Sequence, residues 1–461
     1  MLVVFVNVPS LESSVMTVYP PIGILSMSAC LKREGHDVKF IDADVCRQSP
    51  ELVVEKLSSY GNVGLLGITL NASQVASAIK YIETIKSKFP QLSIVLGGPY
   101  VTGVGTNIFD DFSDVDYAIV KEGEYAIVDL VGHLQGNCPI ENVRNLLYQV
   151  DGSVTSNPVE RIEDLDSLPL PDYSLVLDII EKYTSAYPSV ASPAAAIMCS
   201  RGCPYNCTFC SSKSNWDRRQ TYRSTESVMK EIHYLQKTIG VKEIFFQDDT
   251  LNARPSWFIE LCDRIIADKL NESILFRCPF RVNSNLLDKK ILAKAKHANF
   301  WMIFYGIENG NQQMLNMMRK DIKIKEIRRA FKLTRKAGIA TYASFMIGNY
   351  GETHETARES LDLMKEIVPD FGGFAVACPF PGTELYDIAS KNDLMINGDF
   401  KKYQHGDCIM RTEGLTQQEI VDLVNNANLE FVNFKESFKH RFYRFMTFLY
   451  GVLSRIKTIG S

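Results

Sequence analysis

The sequence lacks any long apolar run, any strong excess of one charge and any repeated or low-complexity segment. No stretch reaches the ~18 apolar residues that a membrane-spanning helix requires. The apolar start, residues 1–8, is too short and too uncharged for a signal peptide. The net charge of −4 gives no general attraction to nucleic acid. These absences predict a cytoplasmic protein that has no transmembrane segment and does not bind nucleic acid.

Cysteine is the residue whose distribution is most informative. The chain has eleven cysteines, and Cys203, Cys207 and Cys210 among them follow the spacing C-x3-C-x2-C. Thiolates this close in sequence favour an iron–sulfur cluster or zinc. Three ligands would leave one iron of a cubane cluster open for chemistry. The alternative is a zinc site with Cys199 as a fourth ligand, although zinc sites usually pair two C-x2-C hooks.

This run of cysteines resembles the signature of the radical S-adenosylmethionine (SAM) superfamily, and Phe209 before the last cysteine also fits it. The resemblance implies a [4Fe-4S] cluster whose ligands are Cys203, Cys207 and Cys210. It further implies that the open iron chelates the amino and carboxylate groups of SAM. An electron from the cluster would then cleave SAM to give a 5′-deoxyadenosyl radical.

Short apolar segments alternate with amphipathic ones along both halves of the chain, which predicts an α/β fold. Predicted strands of the first half are residues 3–6, 38–42, 65–69, 94–96 and 118–120. Six strand candidates follow in the second half, at residues 195–199, 243–247, 274–277, 302–306, 341–346 and 373–377. We therefore predict a Rossmann-like domain (1–140), a linker (141–193), a partial (β/α)6 TIM-type barrel (194–400) and a helical C-terminal region (401–461).

The first half resembles the cobalamin-binding domain that precedes the barrel in one large branch of the radical SAM superfamily. No G-x-G-x-x-G fingerprint opens a helix, which disfavours a nicotinamide dinucleotide. The D-x-H-x-x-G motif of the wider cobalamin family is also absent, so the resemblance implies cobalt without a histidine ligand below it. A degenerate domain that binds no cofactor is the alternative. The implied cobalamin contacts are Tyr19, Pro20, Pro21, Thr69, Leu70, Gly97, Gly98, Val101 and Glu122.

In the barrel, the resemblance implies SAM contacts close to the strand ends, and no residue is assigned as a catalytic acid or base. The implied contacts are Phe209, Gln247, Asp248, Arg281, Glu308 and Ser344. Gln247 or Asp248 would accept hydrogen bonds from the SAM amino group, and Arg281 would pair with its carboxylate. Substrate contacts are considered at Tyr305, His354, Cys378 and Tyr386, for each of which a structural role is the alternative.

Together, the two resemblances imply a radical SAM enzyme that uses cobalamin to methylate an unactivated carbon of a small-molecule or natural-product substrate. Alternatives are a non-methylating cyclisation, rearrangement or oxidation with the same cofactors, or a non-catalytic zinc-binding module. A low-potential ferredoxin or flavodoxin is the expected electron donor. The basic and aromatic segment at 435–457 predicts a helix over the barrel, or peripheral contact with a membrane surface or an apolar substrate.

Overall fold

The computed structural model describes residues 1–10, 19–183, 188–404 and 406–436. These residues form two large sheets flanked by helices, which confirms the predicted α/β class. No helix among them combines the length and hydropathy needed to cross a membrane. The predicted basic and aromatic segment lies, from residue 437 onward, outside the described residues.

The strands are β1 (Leu2–Asn7), β2 (Asp37–Asp42), β3 (Val63–Thr69), β4 (Ile94–Gly97), β5 (Tyr117–Ile119), β6 (Leu146–Val150), β7 (Ser153–Ser156), β8 (Ala194–Ile197), β9 (Ser200–Arg201), β10 (Thr221–Tyr222), β11 (Glu243–Phe246), β12 (Leu275–Phe280), β13 (Phe300–Glu308), β14 (Ala340–Ile347) and β15 (Phe371–Val376). The helices are α1 (Ile22–Arg33), α2 (Pro50–Ser59), α3 (Val75–Lys88), α4 (Pro99–Val104), α5 (Ile108–Asp111), α6 (Glu124–Leu134), α7 (Ser212–Trp216), α8 (Thr225–Ile239), α9 (Pro255–Ala267), α10 (Lys289–His297), α11 (Gln312–Met317), α12 (Ile324–Lys336), α13 (His354–Ile367), α14 (Glu384–Lys391) and α15 (Gln417–Glu436).

The N-terminal sheet has the strand order β2-β1-β3-β4-β5-β6-β7. The first five strands are parallel, and β1 separates β2 from β3. The chain therefore reverses its winding direction at β1, and in open parallel sheets ligands bind in the crevice at the carboxyl ends of the strands on either side of such a point. The predicted Rossmann-like arrangement is therefore present.

Two antiparallel strands extend this sheet beyond the five that the sequence predicts. β6 pairs with β5, and β7 pairs with β6 across the turn Asp151-Gly152, where both residues have positive φ angles of 49° and 76°. An Asp-Gly pair is typical of a two-residue hairpin turn. Part of the segment predicted as a linker thus belongs to the sheet.

The second sheet contains six parallel strands in the order β15-β14-β13-β12-β11-β8. Each overlaps one of the six predicted strands, and helices separate them along the chain, as expected of a partial TIM-type barrel. Side chains alternate along the strands: Phe246 and Phe276 pack into the core with ring centroids 5.8 Å apart, whereas Phe245 and Arg277 face the other side of the sheet. The carboxyl ends of these strands carry the predicted site.

Candidate functional site

The loop with the three predicted cluster ligands lies beyond the carboxyl end of β8, between β9 and α7. Cys203, Cys207 and Cys210 are all half-buried. Cys199 is instead fully buried in the hydrophobic core that the barrel strands form with their helices. The geometry therefore offers three thiols on one loop and gives no support to Cys199 as a fourth ligand of a zinc site.

The sulfur atoms of this loop lie close to hydrogen-bonding groups. The Sγ atom of Cys203 is 3.7 Å from Thr250 Oγ1, and the Ser212 N–H donates to Cys210 Sγ over 3.4 Å. Burial raises the pKa of Cys210 to about 12, so its thiolate requires a nearby cation. Three thiols on one loop, two of which have hydrogen-bonding groups beside their sulfur atoms, fit a [4Fe-4S] cluster that has one open iron.

Backbone contacts anchor this loop to the barrel. The Thr208 N–H donates to the Met318 carbonyl (3.0 Å), and the Leu385 N–H donates to the Thr208 carbonyl (2.8 Å). Gly202 adopts a φ of +88°, and a side chain there would overlap the carbonyl oxygen of Arg219. Glycine is therefore required immediately before the first cluster cysteine.

Charged and aromatic side chains gather beside the loop at the ends of β12 and β13. Lys320 Nζ lies 2.7 Å from Glu308 Oε1 and 5.8 Å from the ring centroid of Phe209. The Arg281 guanidinium lies 3.5 Å from the centroid of the Tyr205 ring. The structure thus brings the predicted Phe209, Arg281 and Glu308 together. It adds Lys320, which the sequence did not single out because no motif marks it within the basic stretch 319–336.

The two residues predicted after β11 occupy different surroundings. Asp248 is buried and accepts hydrogen bonds from Ser200 Oγ (2.6 Å) and the Cys199 N–H (3.2 Å), so it holds the start of the cluster loop. Burial raises the pKa of Asp248 to about 7. Gln247 is exposed at the strand end, and Ser344 is half-buried on β14. Gln247 is therefore the better placed of the pair to meet a ligand.

The substrate candidates do not converge on this site. Tyr305 is fully buried, and its hydroxyl lies 2.7 Å from Thr334 Oγ1 on the helix side of the sheet. His354 lies at the surface with its Nε2 3.0 Å from Glu419 Oε1. Cys378 and Tyr386 pack against the core of the N-terminal half. A structural role accounts for each of these contacts.

A cavity of about 230 Å³ lies at the carboxyl edge of the N-terminal sheet. Its lining includes the predicted Thr69, Gly97, Gly98 and Glu122. Gly98 has a φ of +99°, and a side chain at this position would lie 2.7 Å from Thr69 Oγ1. Only glycine fits this position without strain. The opposite wall comes from the barrel half and includes Met198, Arg201 and Trp216. The cavity therefore joins the predicted cobalamin edge to the segments that flank the cluster cysteines.

The other predicted cobalamin contacts do not line this cavity. Leu70 and Val101 are fully buried in the core of the first half, Pro20 is buried, and Pro21 is half-buried. Tyr19 lies against the barrel half instead: its ring centroid is 5.8 Å from that of Phe245, and its hydroxyl accepts a hydrogen bond from Arg277.

Comparison with known proteins identifies both halves of the chain. Residues 197–364 match the radical SAM superfamily, and residues 12–131 match the B12 binding domain. An uncharacterized methyltransferase of Pyrococcus horikoshii is 29% identical over 445 residues, which cover 94% of each chain. The anaerobic magnesium-protoporphyrin IX monomethyl ester cyclase of Rubrivivax gelatinosus is 29% identical over 423 residues, which cover 90% of this chain and 74% of the cyclase.

The fold is also similar to that of a solved structure. OxsB, a cobalamin-dependent SAM radical enzyme with aqua-cobalamin and SAM bound, superimposes with a TM-score of 0.75 at 19% identity. The match covers 93% of this chain and 66% of OxsB. The two family matches fall on the two sheets described above, and the three cysteines lie in the radical SAM match. The chain is thus a radical SAM enzyme with an N-terminal cobalamin-binding domain, and its cofactors are a [4Fe-4S] cluster, SAM and cobalamin.

Proposed function

We propose that this enzyme methylates an unactivated carbon of a small-molecule substrate, with an electron supplied by a low-potential ferredoxin or flavodoxin. The cavity between the two halves is the observation that carries the proposal. Its walls are Thr69, Gly97 and Gly98 on one side and Met198 and Arg201 on the other. A cobalamin held by the first wall would face the segment that leads into the cluster cysteines, which is the arrangement that radical methyl transfer requires.

The composition of the cavity also supports methyl transfer. No histidine is among the described residues that line it. His133, which lies on α6, is instead engaged through its Nδ1 with the Cys138 carbonyl at 3.0 Å. The cavity residues would therefore offer a bound cobalamin no imidazole, which fits a cofactor that exchanges methyl groups.

The residues of the chain have separable tasks in this proposal. Cys203, Cys207 and Cys210 would bind the cluster, while Gln247 would accept from the SAM amino group and Arg281 would pair with the SAM carboxylate. When bound, the cluster and SAM supply a radical that removes hydrogen, and cobalamin supplies the methyl group. The protein contributes position and exclusion of water more than a tuned acid or base.

Non-methylating chemistry is the second candidate, and one observation favours it. The cyclase of Rubrivivax gelatinosus is as similar to this chain as the methyltransferase of Pyrococcus horikoshii, at 29% identity each. Both outcomes use the same two domains. The products derived from SAM distinguish them.

The test is anaerobic turnover of protein reconstituted with iron, sulfide and cobalamin. SAM and a strong reductant are added, and 5′-deoxyadenosine and S-adenosylhomocysteine are quantified. Methyl transfer predicts both products, with 5′-deoxyadenosine lost in Cys203→Ala. If 5′-deoxyadenosine appears alone while cobalamin is bound, the non-methylating chemistry replaces the proposal.

A further inference from the structure

Arg201 connects the cluster loop to the cobalamin-binding half through a buried group of charges. It stands two residues before Cys203, and its Nη1 lies 2.5 Å from Glu122 Oε1. Its Nη2 pairs with Glu124, at the start of α6. The side chains of Arg201, Glu122 and Glu124 are only 13%, 3% and 6% exposed. Two carboxylates of one half thus hold a guanidinium of the other half away from water.

The carboxylate side of this contact is fixed from several directions. Glu122 Oε2 accepts from the Ile162 N–H at 2.7 Å, and the Glu122 carbonyl accepts from Asn145 Nδ2 at 2.8 Å. Both carboxylate oxygens of Glu122 are therefore engaged. Glu122 lines the cavity, and its carboxylate is committed to Arg201 and the Ile162 N–H.

The arginine side is equally constrained. The guanidinium lies 5.8 Å from the centroid of the Trp216 ring, which is another wall of the cavity. The next residue, Gly202, is confined by the Arg219 carbonyl, and Cys203 follows. Only the confined Gly202 lies between Arg201 and Cys203, so the backbone at the first cluster ligand is tied closely to the residue whose guanidinium the two carboxylates hold.

A buried ion group of this kind is poorly explained by stability alone. Desolvation of the charges offsets most of their attraction. A protein in which well-packed apolar residues replace such a group is often as stable as the original. The best-attested use of such groups is to fix the register of two elements. Here the two elements carry the two metal cofactors.

We propose that Arg201 is a positioning residue that sets the place of the cluster relative to the cobalamin, through its fork to Glu122 and Glu124. The inference rests on the proposed function, which requires both cofactors in one enzyme. Lysine at this position would keep the charge but could not bind both carboxylates with a planar fork. The variant Arg201→Lys should therefore load both cofactors and hold them in a less defined relation.

The experiment uses the full-length enzyme loaded with cluster and cobalamin, and it measures the spin–lattice relaxation of cob(II)alamin by pulsed electron paramagnetic resonance. Each protein is measured with the cluster reduced, and thus paramagnetic, and again with it oxidised. The reduced cluster accelerates the relaxation of cob(II)alamin, and the size of this acceleration reports the distance and orientation between the two centres. We expect Arg201→Lys to retain less than half of the wild-type acceleration at equal iron and cobalt content.

Arg219→Lys is the matched control, because Arg219 belongs to the same region but forms an exposed pair with Glu163 at 2.9 Å. This control should show the wild-type acceleration. Glu124→Gln removes one arm of the contact while keeping an oxygen acceptor, and it replaces Arg201→Lys as the deciding variant if the latter does not fold. Wild-type acceleration in the loaded variant overturns the positioning role. Wild-type protein that binds no cobalamin would instead overturn the proposed function.

Discussion

Gly103 packs against the backbone of Pro381 so closely that a methyl group on Gly103 would overlap the Pro381 carbonyl oxygen. A methyl group on Gly382 would likewise lie 2.8 Å from the Gly103 Cα atom. The first residue belongs to α4, which starts directly after the cavity glycines, and the other two belong to the turn before α14. The halves of the enzyme therefore meet here through bare backbone, and any side chain would force them apart.

Gly103→Ala should weaken this contact. The added methyl group cannot be accommodated by a rotamer change because it meets backbone, so we expect a loss of about 1–3 kcal/mol in unfolding free energy. Cobalamin affinity should fall with it, since the cavity takes walls from both halves. Denaturant unfolding and cobalamin titration check the two effects. Gly132→Ala on α6 is the control, because a methyl group there would have 3.8 Å to its nearest neighbour, Cys138 Sγ; a similar loss in both variants would contradict the explanation.

Iron content distinguishes Cys199 from the three loop cysteines. We expect Cys199→Ala to keep its iron and the visible absorption of the cluster, because its side chain lies in the hydrophobic core. Cys203→Ala should lose most of both. The measurement is iron, sulfide and zinc analysis of anaerobically reconstituted protein. Equal loss of metal in the two variants would instead place Cys199 among the ligands.

Most of the fold could be predicted because buried parallel strands leave a clear pattern of short apolar runs. All six barrel strands and the five parallel strands of the first sheet overlap the predicted segments. The β6–β7 hairpin was missed because its strands are short and half-exposed, with Val150 and Val154 at the surface. The Asp151-Gly152 turn between them was the available signal.

The site was less predictable because its contacts join residues that are far apart in sequence. Asp248 was predicted to meet SAM, but its oxygens accept from Cys199 and Ser200, 49 and 48 residues away. The Arg201–Glu122 contact spans 79 residues. A motif identifies the residue type that a site needs, whereas partners of this kind depend on how the two sheets are packed.

Tyr19 offers a direct test of such a difference. The resemblance places it at cobalamin, whereas its hydroxyl accepts a hydrogen bond from the buried Arg277, which also pairs with Glu243 at 2.7 Å. Tyr19→Phe should cost about 1 kcal/mol of stability through the lost acceptor and leave the cobalamin affinity unchanged. Parallel unfolding and cobalamin titrations measure both quantities. Weaker cobalamin binding at unchanged stability would restore the contact that the sequence implies.

Glu352 should make the stability of the enzyme depend on pH. It is fully buried after β14, and burial raises its pKa from 4.5 to about 7 although the Gly348 and Asn349 N–H groups and Asn309 donate to it. The folded state thus binds the proton more tightly than the unfolded state. The resulting stability is fully present below pH 4.5 and is lost as the pH rises through 7.

The variant Glu352→Gln isolates this contribution, because an amide keeps an oxygen for the two N–H groups and does not titrate. Between pH 5 and pH 8 (roughly the limits of the titration), wild-type protein should lose on the order of 3 kcal/mol that the variant retains. Unfolding free energies at both pH values give the difference directly, and groups that titrate in both proteins cancel. Glu355→Gln, at an exposed position on α13, should keep the wild-type pH profile. Identical profiles for Glu352→Gln and wild-type protein would mean that Glu352 is already ionised when folded, with its three donors outweighing its burial.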